Sequence, residues 1–446
     1  MSPHAEPNRM QYTSLACMKN LSSIHRVHCI GVGGIGMSAL ARLLTHEKKQ
    51  VSGSDSALSS LTTDLQTEGV TIYSTQSAEN ITKDIDLVVY TEAMSHDHEE
   101  MVAAMQRGVP MLNYFQALAL AVNEYYLIAV AGTHGKTTTT AMLADIFEAA
   151  EKDPTVVVGS LRAKTKSNFR YGKSKYAIVE ACEFRHDFLH LDPDLLVITN
   201  LEHDHVDFYP DLASVQAAFA KLVARVDEKG AVVANTSDPN LAPVLASASV
   251  PVHDYRSQLD PTLPLKLPGL HNQENAAAAA AAAAVCDLPT ITVRQALTDF
   301  AGTWRRFEYK GELNGAPVYD DYAHHPTAIR ATITAAREKF PDKRIVVAFQ
   351  PHTYSRTHAL FAEFAKALAL ADQVFVTPIY AAREENISGV SSRELVVKVL
   401  ERNPNAEYVR SLEELSKHLR YGTTSHDVVL IVGAGDITQV AADLTK

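Results

Sequence analysis

Across 446 residues the chain carries 41 Lys and Arg against 52 Asp and Glu, a formal net charge of -11. That balance argues against general nucleic-acid binding, which needs a basic face, but leaves room for a local basic pocket that takes an anionic substrate. At 46% hydrophobic and 21% charged, the composition is that of a soluble enzyme with a sizeable core, and the length suggests about three domains.

Residues 1–22 are polar, with Pro3, Pro7 and Asn8 and no apolar centre, and are expected to be a flexible leader rather than a signal peptide. Cys17, Cys29, Cys182 and Cys286 are scattered without a C-x-x-C pair, which suits the cytoplasm and carries no zinc signature. The alanine run at 276–284 is too short and too weakly apolar for a membrane span, so no membrane insertion is expected.

Residues 27–30 predict a short strand. The stretch GVGGIGMS over 31–38 follows it and leads into a helix through Leu40, Leu43 and Leu44. Gly31, Gly33 and Gly36 satisfy G-x-G-x-x-G, and Asp55 closes a second strand about twenty residues on, where an acid meets a ribose. Read alone, the motif makes a nicotinamide dinucleotide the default ligand, with a structural tight turn as the bland alternative. Further strands at 87–90 and near 110–112 predict a βαβ pattern and a parallel sheet.

The middle segment opens on a buried strand, 127–131, which breaks into Gly132-Thr133-His134-Gly135-Lys136-Thr137-Thr138. A helix follows, with Met142, Leu143 and Ile146 as inward positions. Two glycines let backbone N–H groups approach an anion, and the helix N-terminus adds its positive end. Lys136 can reach outer phosphates and the Thr137 hydroxyl can bind magnesium, although Val130 stands where a Walker A loop has its first glycine. The reading is an ATP site.

A strand at 176–179 ends in Glu180-Ala181-Cys182-Glu183, and one at 195–199 ends in Asn200-Leu201-Glu202-His203-Asp204-His205. In a parallel sheet these ends share one edge with the phosphate loop, so Glu180 and His205 are candidate metal ligands, with Glu183, Glu202 and Asp204 behind them. Simple strand-end capping is the structural alternative. HNQEN at 271–275 starts an alanine-rich helix; Asn272 and Asn275 share a face, and adenine recognition and N-capping explain them equally well.

The last segment holds WRRFE at 304–308, DDYAHHPT at 320–327 and FQPHTYSRT at 349–357. Strands at 345–349, 373–377 and 428–432 again imply an open parallel sheet. With an ATP loop, a magnesium site and no nucleophilic serine or cysteine motif, phosphoryl transfer to a substrate oxygen is the expected first step. If the acceptor is a carboxylate, an amine can capture the acyl phosphate.

Taken jointly, GVGGIGMS, SGSD at 52–55, GTHGKTT, NLEHDH, HNQEN, RRF, DDYAHHPT and FQPHTYSRT resemble the Mur ligases of peptidoglycan synthesis, from about His25 to the C-terminus. The resemblance implies three α/β domains: an N-terminal Rossmann-like UDP-substrate domain over 23–122, a central P-loop ATPase-type domain over 123–303, and a C-terminal Rossmann-like domain over 304–446. It replaces the nicotinamide reading, because in this family the N-terminal loop holds a UDP substrate. Gly31, Gly33, Gly34, Ile35, Gly36, Met37, Ser38 and Asp55 would contact that substrate, with Asn168 and Arg170 at its muramyl end.

The same resemblance assigns ATP to Gly132–Thr138, to Asn272 and Asn275 on the adenine side, and to Arg306 and Asp321 on the phosphate and ribose sides. Magnesium falls to Thr137, Glu180 and His205, and the amino-acid side to Tyr322, His324, His325 and Arg356. Lys136, Glu180, His205, Arg306 and Arg356 are the implied catalytic set. The implied reaction activates the carboxylate of UDP-N-acetylmuramate for attack by L-alanine; a tripeptide acceptor is the nearest rival, with a nicotinamide-dependent oxidoreductase and a non-catalytic UDP-muramate sensor as the more distant alternatives. Cys182 stands where many relatives have an acid, and Thr353 where some have arginine. No lysine, Lys221 included, matches the carbamylated magnesium ligand of some Mur ligases.

Overall fold

Strands built from unbroken Val, Ile, Leu and Ala runs are buried on both faces, which is what parallel sheets covered by helices require. In the computed structural model, which describes residues 18, 20–92, 94–95 and 97–446, three such sheets form. Most of the expected leader, with Cys17, lies outside the described residues.

The first sheet comprises β1 (Arg26–Ile30), β2 (Gln50–Ser54), β3 (Thr71–Tyr73), β4 (Leu87–Tyr90) and β5 (Met111–Asn113). All pairs are parallel, in the order β3-β2-β1-β4-β5. That is the strand order of a dinucleotide-binding sheet, with the glycine loop after β1 at the point where the order reverses.

The second sheet comprises β6 (Tyr126–Ala131), β7 (Thr155–Val157), β8 (Phe169–Arg170), β9 (Tyr176–Glu180), β10 (Leu195–Ile198), β11 (Ala231–Ala234) and β12 (Val252–Asp254). Its order is β12-β11-β10-β6-β9-β7-β8. Because β6 lies between β10 and β9, the loops leaving these three strands meet at one edge. Chain crossovers thus bring Lys136, Glu180 and His205 into one neighbourhood. Helix Lys136–Ala149 is buried almost all round, and the alanine helix Leu270–Val285 packs on it without side-chain bulk.

The third sheet comprises β13 (Glu308–Leu313), β14 (Ala316–Asp321), β15 (Arg344–Phe349), β16 (Gln373–Val376), β17 (Ala406–Tyr408) and β18 (Asp427–Val432), in the order β13-β14-β18-β15-β16-β17. Two pairs depart from the all-parallel expectation: β7 with β8, and β13 with β14. The β13–β14 hairpin turns on Asn314 and Gly315, both at positive φ (51° and 80°), the two-residue turn that Asn-Gly favours.

The apolar cores divide unevenly. Leu40, Ala117 and Leu118 of the first segment share one continuous cluster with Leu127, Phe188 and Phe219 of the second. The third segment has clusters of its own. Its pairs with the second include Arg356 with Asp204 and Thr327 with Glu202, both polar.

At the joint of the first two segments, Asn113 Nδ2 lies 3.4 Å from Asp187 Oδ1 and 2.9 Å from Glu92 Oε1. Burial, reinforced by Glu92, pushes the Asp187 carboxyl up to about 7, against the opposing pull of Arg185 and Asn113. A raised carboxyl binds its proton more tightly folded than unfolded, so its penalty grows as pH rises from about 4 to 7. Asp187→Asn is therefore expected to raise Tm by a few degrees at pH 8 and to change it little near pH 4, as read by calorimetry. An equal shift at both pH values would sink this account.

Among the described residues, no helix is long and apolar enough to cross a membrane.

Candidate active site

The phosphate loop is shaped by what surrounds it. Gly132 and Gly135 hold φ of 131° and 83°, and a Cβ at either would stand 2.1 Å from Thr199 Oγ1 or Asn275 Oδ1. Both positions therefore demand glycine. The His134 backbone is pinned from β10: its N–H donates to Asn200 Oδ1 (2.9 Å), and its carbonyl accepts from Thr199 Oγ1 (2.6 Å) and Asn200 Nδ2 (3.0 Å).

Lys136 Nζ stands 2.9 Å from Glu183 Oε2 and also donates to the Gly132 and Thr133 carbonyls. Burial works against its charge, but Glu183, Cys182 and Glu180 more than offset this and hold the ammonium above the ordinary lysine range. The Thr137 hydroxyl donates to Glu180 Oε1 at 3.0 Å, and the Gly159 N–H donates to Glu180 Oε2 at 2.8 Å. His205 Nε2 lies 3.8 Å from Glu183 Oε1, its ring against Phe184. Burial pushes the Cys182 thiol up to about 12, so it is an uncharged neighbour of the lysine.

Helix Leu270–Val285 has Gly269 as its N-cap, without a side-chain cap bond. The capping alternative for the asparagines therefore fails. Asn272 donates to the Pro268 carbonyl and Asn275 faces Thr139 and Gly135, with both lining the main cavity.

That cavity, about 760 Å³, is walled by the phosphate loop, the ends of β9 and β10, and residues of the third segment, including Arg306, Asp321, Tyr322, His324, His325 and Arg356. The volume is that of a small-molecule site. Arg306 reaches Thr137 Oγ1 at 3.4 Å and lies over the Tyr322 ring. Its neighbour Arg305 is instead a buried strut on Asp320 and the Gly433 and Gly435 carbonyls. The Asp321 carboxylate accepts the Phe307 and Ala323 N–H groups, and burial raises its pKa despite Arg306.

The paired histidines of DDYAHHPT part company. His324 Nδ1 lies 2.9 Å from the Tyr322 carbonyl and its ring faces His352, whereas His325 turns to His134 and Glu202. Burial pushes His352 down to about 4 and His324 well below the usual imidazole range, both helped by Arg356, so both are neutral at pH 7. Arg356 itself is spent on Asp204, with Nε and Nη2 each 2.9 Å from Oδ1. His352, which also stacks on Tyr380, lines the cavity without having been singled out from sequence; its place in FQPHTYSRT directly after a strand end was the available signal.

The N-terminal loop is set by contacts within its own segment and to the second. Of that loop only Ile35 lines the cavity. The Gly33 N–H donates to Asp55 Oδ2 at 2.9 Å, so Asp55 closes the loop on itself. The Met37 and Ser38 side chains are buried inward. Asn168 is wholly buried, its amide bonded to Ile35, Ser38 and Arg42, and it ties the second segment to the first. Arg170 pairs with Asp153 and Glu148, at the far end of helix Lys136–Ala149 from the phosphate loop.

A phosphate loop at the centre of one α/β sheet, acidic and imidazole groups beside it and a third sheet closing over both define an ATP-using ligase of three domains. The Mur ligase family, catalytic domain, matches residues 26–126; the Mur ligase middle domain matches 130–259; and the Mur ligase, glutamate ligase domain, matches 305–435. Two curated relatives, the UDP-N-acetylmuramate–L-alanine ligases of Agathobacter rectalis and Lachnospira eligens, are each 40% identical over 94% of this chain and 97% and 98% of their own. The crystal structure of the UDP-N-acetylmuramate-alanine ligase MurC of Thermotoga maritima superposes with a TM-score of 0.78 at 31% identity, covering 94% of this chain and 98% of that one. A murein peptide ligase from Psychrobacter arcticus gives 0.71 at 26%, with the same coverage. The chain belongs to the Mur ligase family.

Proposed function

We propose that this chain joins L-alanine to the carboxylate of UDP-N-acetylmuramate, at the expense of ATP, as a cytoplasmic step of peptidoglycan precursor synthesis. The observation that carries the reading is the single cavity in which Lys136, Thr137 and Glu180 face Arg306, Tyr322 and His324 across two domains. The full-length likeness to alanine ligases supports the choice of amine. Segments 23–122, 123–303 and 304–446 would divide the work into UDP-substrate, ATP and amine-side domains.

In the proposed reaction a muramyl carboxylate oxygen attacks the γ-phosphorus of ATP and ADP leaves. The alanine ammonium gives up one proton, its nitrogen then attacks the acyl carbon, phosphate leaves, and the nitrogen loses a second proton as the amide forms. Lys136 and Arg306 would balance charge on the transferring group. The 3.0 Å between Thr137 Oγ1 and Glu180 Oε1 fits magnesium, because two oxygens about 2.1 Å from one octahedral ion stand about 3 Å apart. When bound, the ion would neutralise phosphoryl charge. His205 would add a ligand, and the Asn272 and Asn275 amides would meet the adenine edge. Neutral His324, beside Tyr322, would accept from the alanine ammonium and so orient it.

With UDP-N-acetylmuramate and magnesium-ATP supplied, L-alanine is expected to support ADP release at least tenfold faster than a muropeptide tripeptide. Faster release with the tripeptide would replace this reading with that of a recycling ligase.

A further inference from the structure

Two clusters among the described residues bring three metal-competent side chains together: Cys182, Glu183 and His205 beside the proposed magnesium site, and His134, Glu202 and His325 across the cavity wall. The first is poorly suited to a softer cation. Its thiol is held protonated by burial, and the Lys136 ammonium already occupies Glu183. The second cluster has no such cation within it.

In that second cluster, His134 Nε2 lies 3.5 Å and His325 Nδ1 3.6 Å from the same carboxylate oxygen, Glu202 Oε2. Ligand atoms about 2.0–2.1 Å from one tetrahedral ion stand about 3.4 Å apart, so the two edges already have nearly the required length. Nε2 of His134, the atom that faces Glu202, is buried without a hydrogen-bond partner, a deficit that a cation on it would relieve. The Thr327 hydroxyl donates to the same Glu202 Oε2 at 2.8 Å, which fixes the carboxylate and takes one of that oxygen's lone pairs, leaving the other for a cation. One contact competes: the Thr327 N–H reaches His325 Nδ1 at a long 3.3 Å, and a cation on Nδ1 would replace it.

We infer that His134, Glu202 and His325 form a site for an imidazole-preferring divalent cation such as Zn2+ or Co2+, distinct from the magnesium of the nucleotide, which clamps the third domain onto the second. Two imidazoles and one carboxylate select such ions over magnesium. The clamping follows from connectivity: His134 and Glu202 lie on the loops that leave β6 and β10, and His325 caps helix Pro326–Lys339 of the third domain. The site does not depend on which amine the ligase uses.

Cobalt chloride titrated into the full-length, nucleotide-free protein tests the site. Strong visible bands of four-coordinate Co2+ are expected, saturating at one equivalent and displaced by Zn2+. Glu202→Gln and His325→Gln should weaken Co2+ binding by roughly tenfold or more with unchanged circular dichroism, while Glu180→Gln and Cys182→Ser keep it. Absence of bands in the wild-type protein overturns the inference. So do bands that survive both substitutions, or bands lost in Cys182→Ser, which would move the ion to the other cluster. A second reading covers variants that fold poorly: Zn2+ should raise the wild-type Tm and leave that of His134→Gln unmoved. An equal rise in both also overturns it.

Discussion

Lys136→Ala is expected to lower turnover by roughly 10²–10³-fold or more, the loss typical of removing one preorganised charge from a transition-state site. It is also expected to lower Tm. Lys136 and Glu183 are a buried pair, with side chains only 13% and 4% exposed, and removing the ammonium strands a carboxylate in the interior. Breaking such a pair from one side costs about 3–5 kcal/mol. The two effects separate in the double variant Lys136→Ala/Glu183→Gln, which no longer buries an unpaired charge. Its Tm should recover while its turnover does not. Recovered turnover in the double variant would show that the lysine is only a structural partner of Glu183, and the loop would lose its role as phosphate cradle.

Arg356→Ala is expected to reduce kcat/KM by about 10²-fold through the domain joint, since misplacement of reacting groups by about 1 Å costs that much. Its guanidinium sits on Asp204, which burial would raise but which Arg356 holds well below the usual carboxylate range. The pair therefore contributes its full stability above about pH 4 and loses it only as pH falls further. Without Arg356, Asp204 regains water most readily if the third domain swings away, because the joint is polar and the apolar cores on either side are separate. Amide exchange at 200–205 and 322–327 should accelerate in the variant, while exchange within β1 and β4 stays unchanged. Arg356→Lys should restore little, since one ammonium cannot place two nitrogens on Oδ1 as Arg356 does. Unchanged exchange together with lost turnover would assign Arg356 to the substrate rather than to the joint.

Much of the fold was legible because buried parallel strands are short apolar runs that end in glycine or polar loops. The strands expected at 87–90, 127–131, 195–199 and 428–432 lie within a residue of β4, β6, β10 and β18. Short edge strands such as β8 and β17 carry too few residues for a pattern. The β13–β14 hairpin went unread although Asn314-Gly315 marks it.

By itself, the sequence determined the chemistry of each strand end: a glycine loop with Lys136 and Thr137 after β6, Glu180 after β9, and imidazoles and acids after β10 and β14. Local residue types suffice for that, because a phosphate cradle and a hard-cation ligand are built from neighbours in the chain. Tertiary structure alone decided which of these side chains meet. Asn168 and Arg170 lie two residues apart, yet the fold sets one against Arg42 of the first segment and the other against Asp153. His324 and His325 are adjacent in sequence yet serve different walls, since His324 still belongs to the loop after β14 while His325 already caps the helix that follows. Pairs such as Asp204 with Arg356 and Glu202 with His325 join residues more than a hundred positions apart, through strand order and domain closure. Those are set by how whole sheets pack, and no local pattern encodes them.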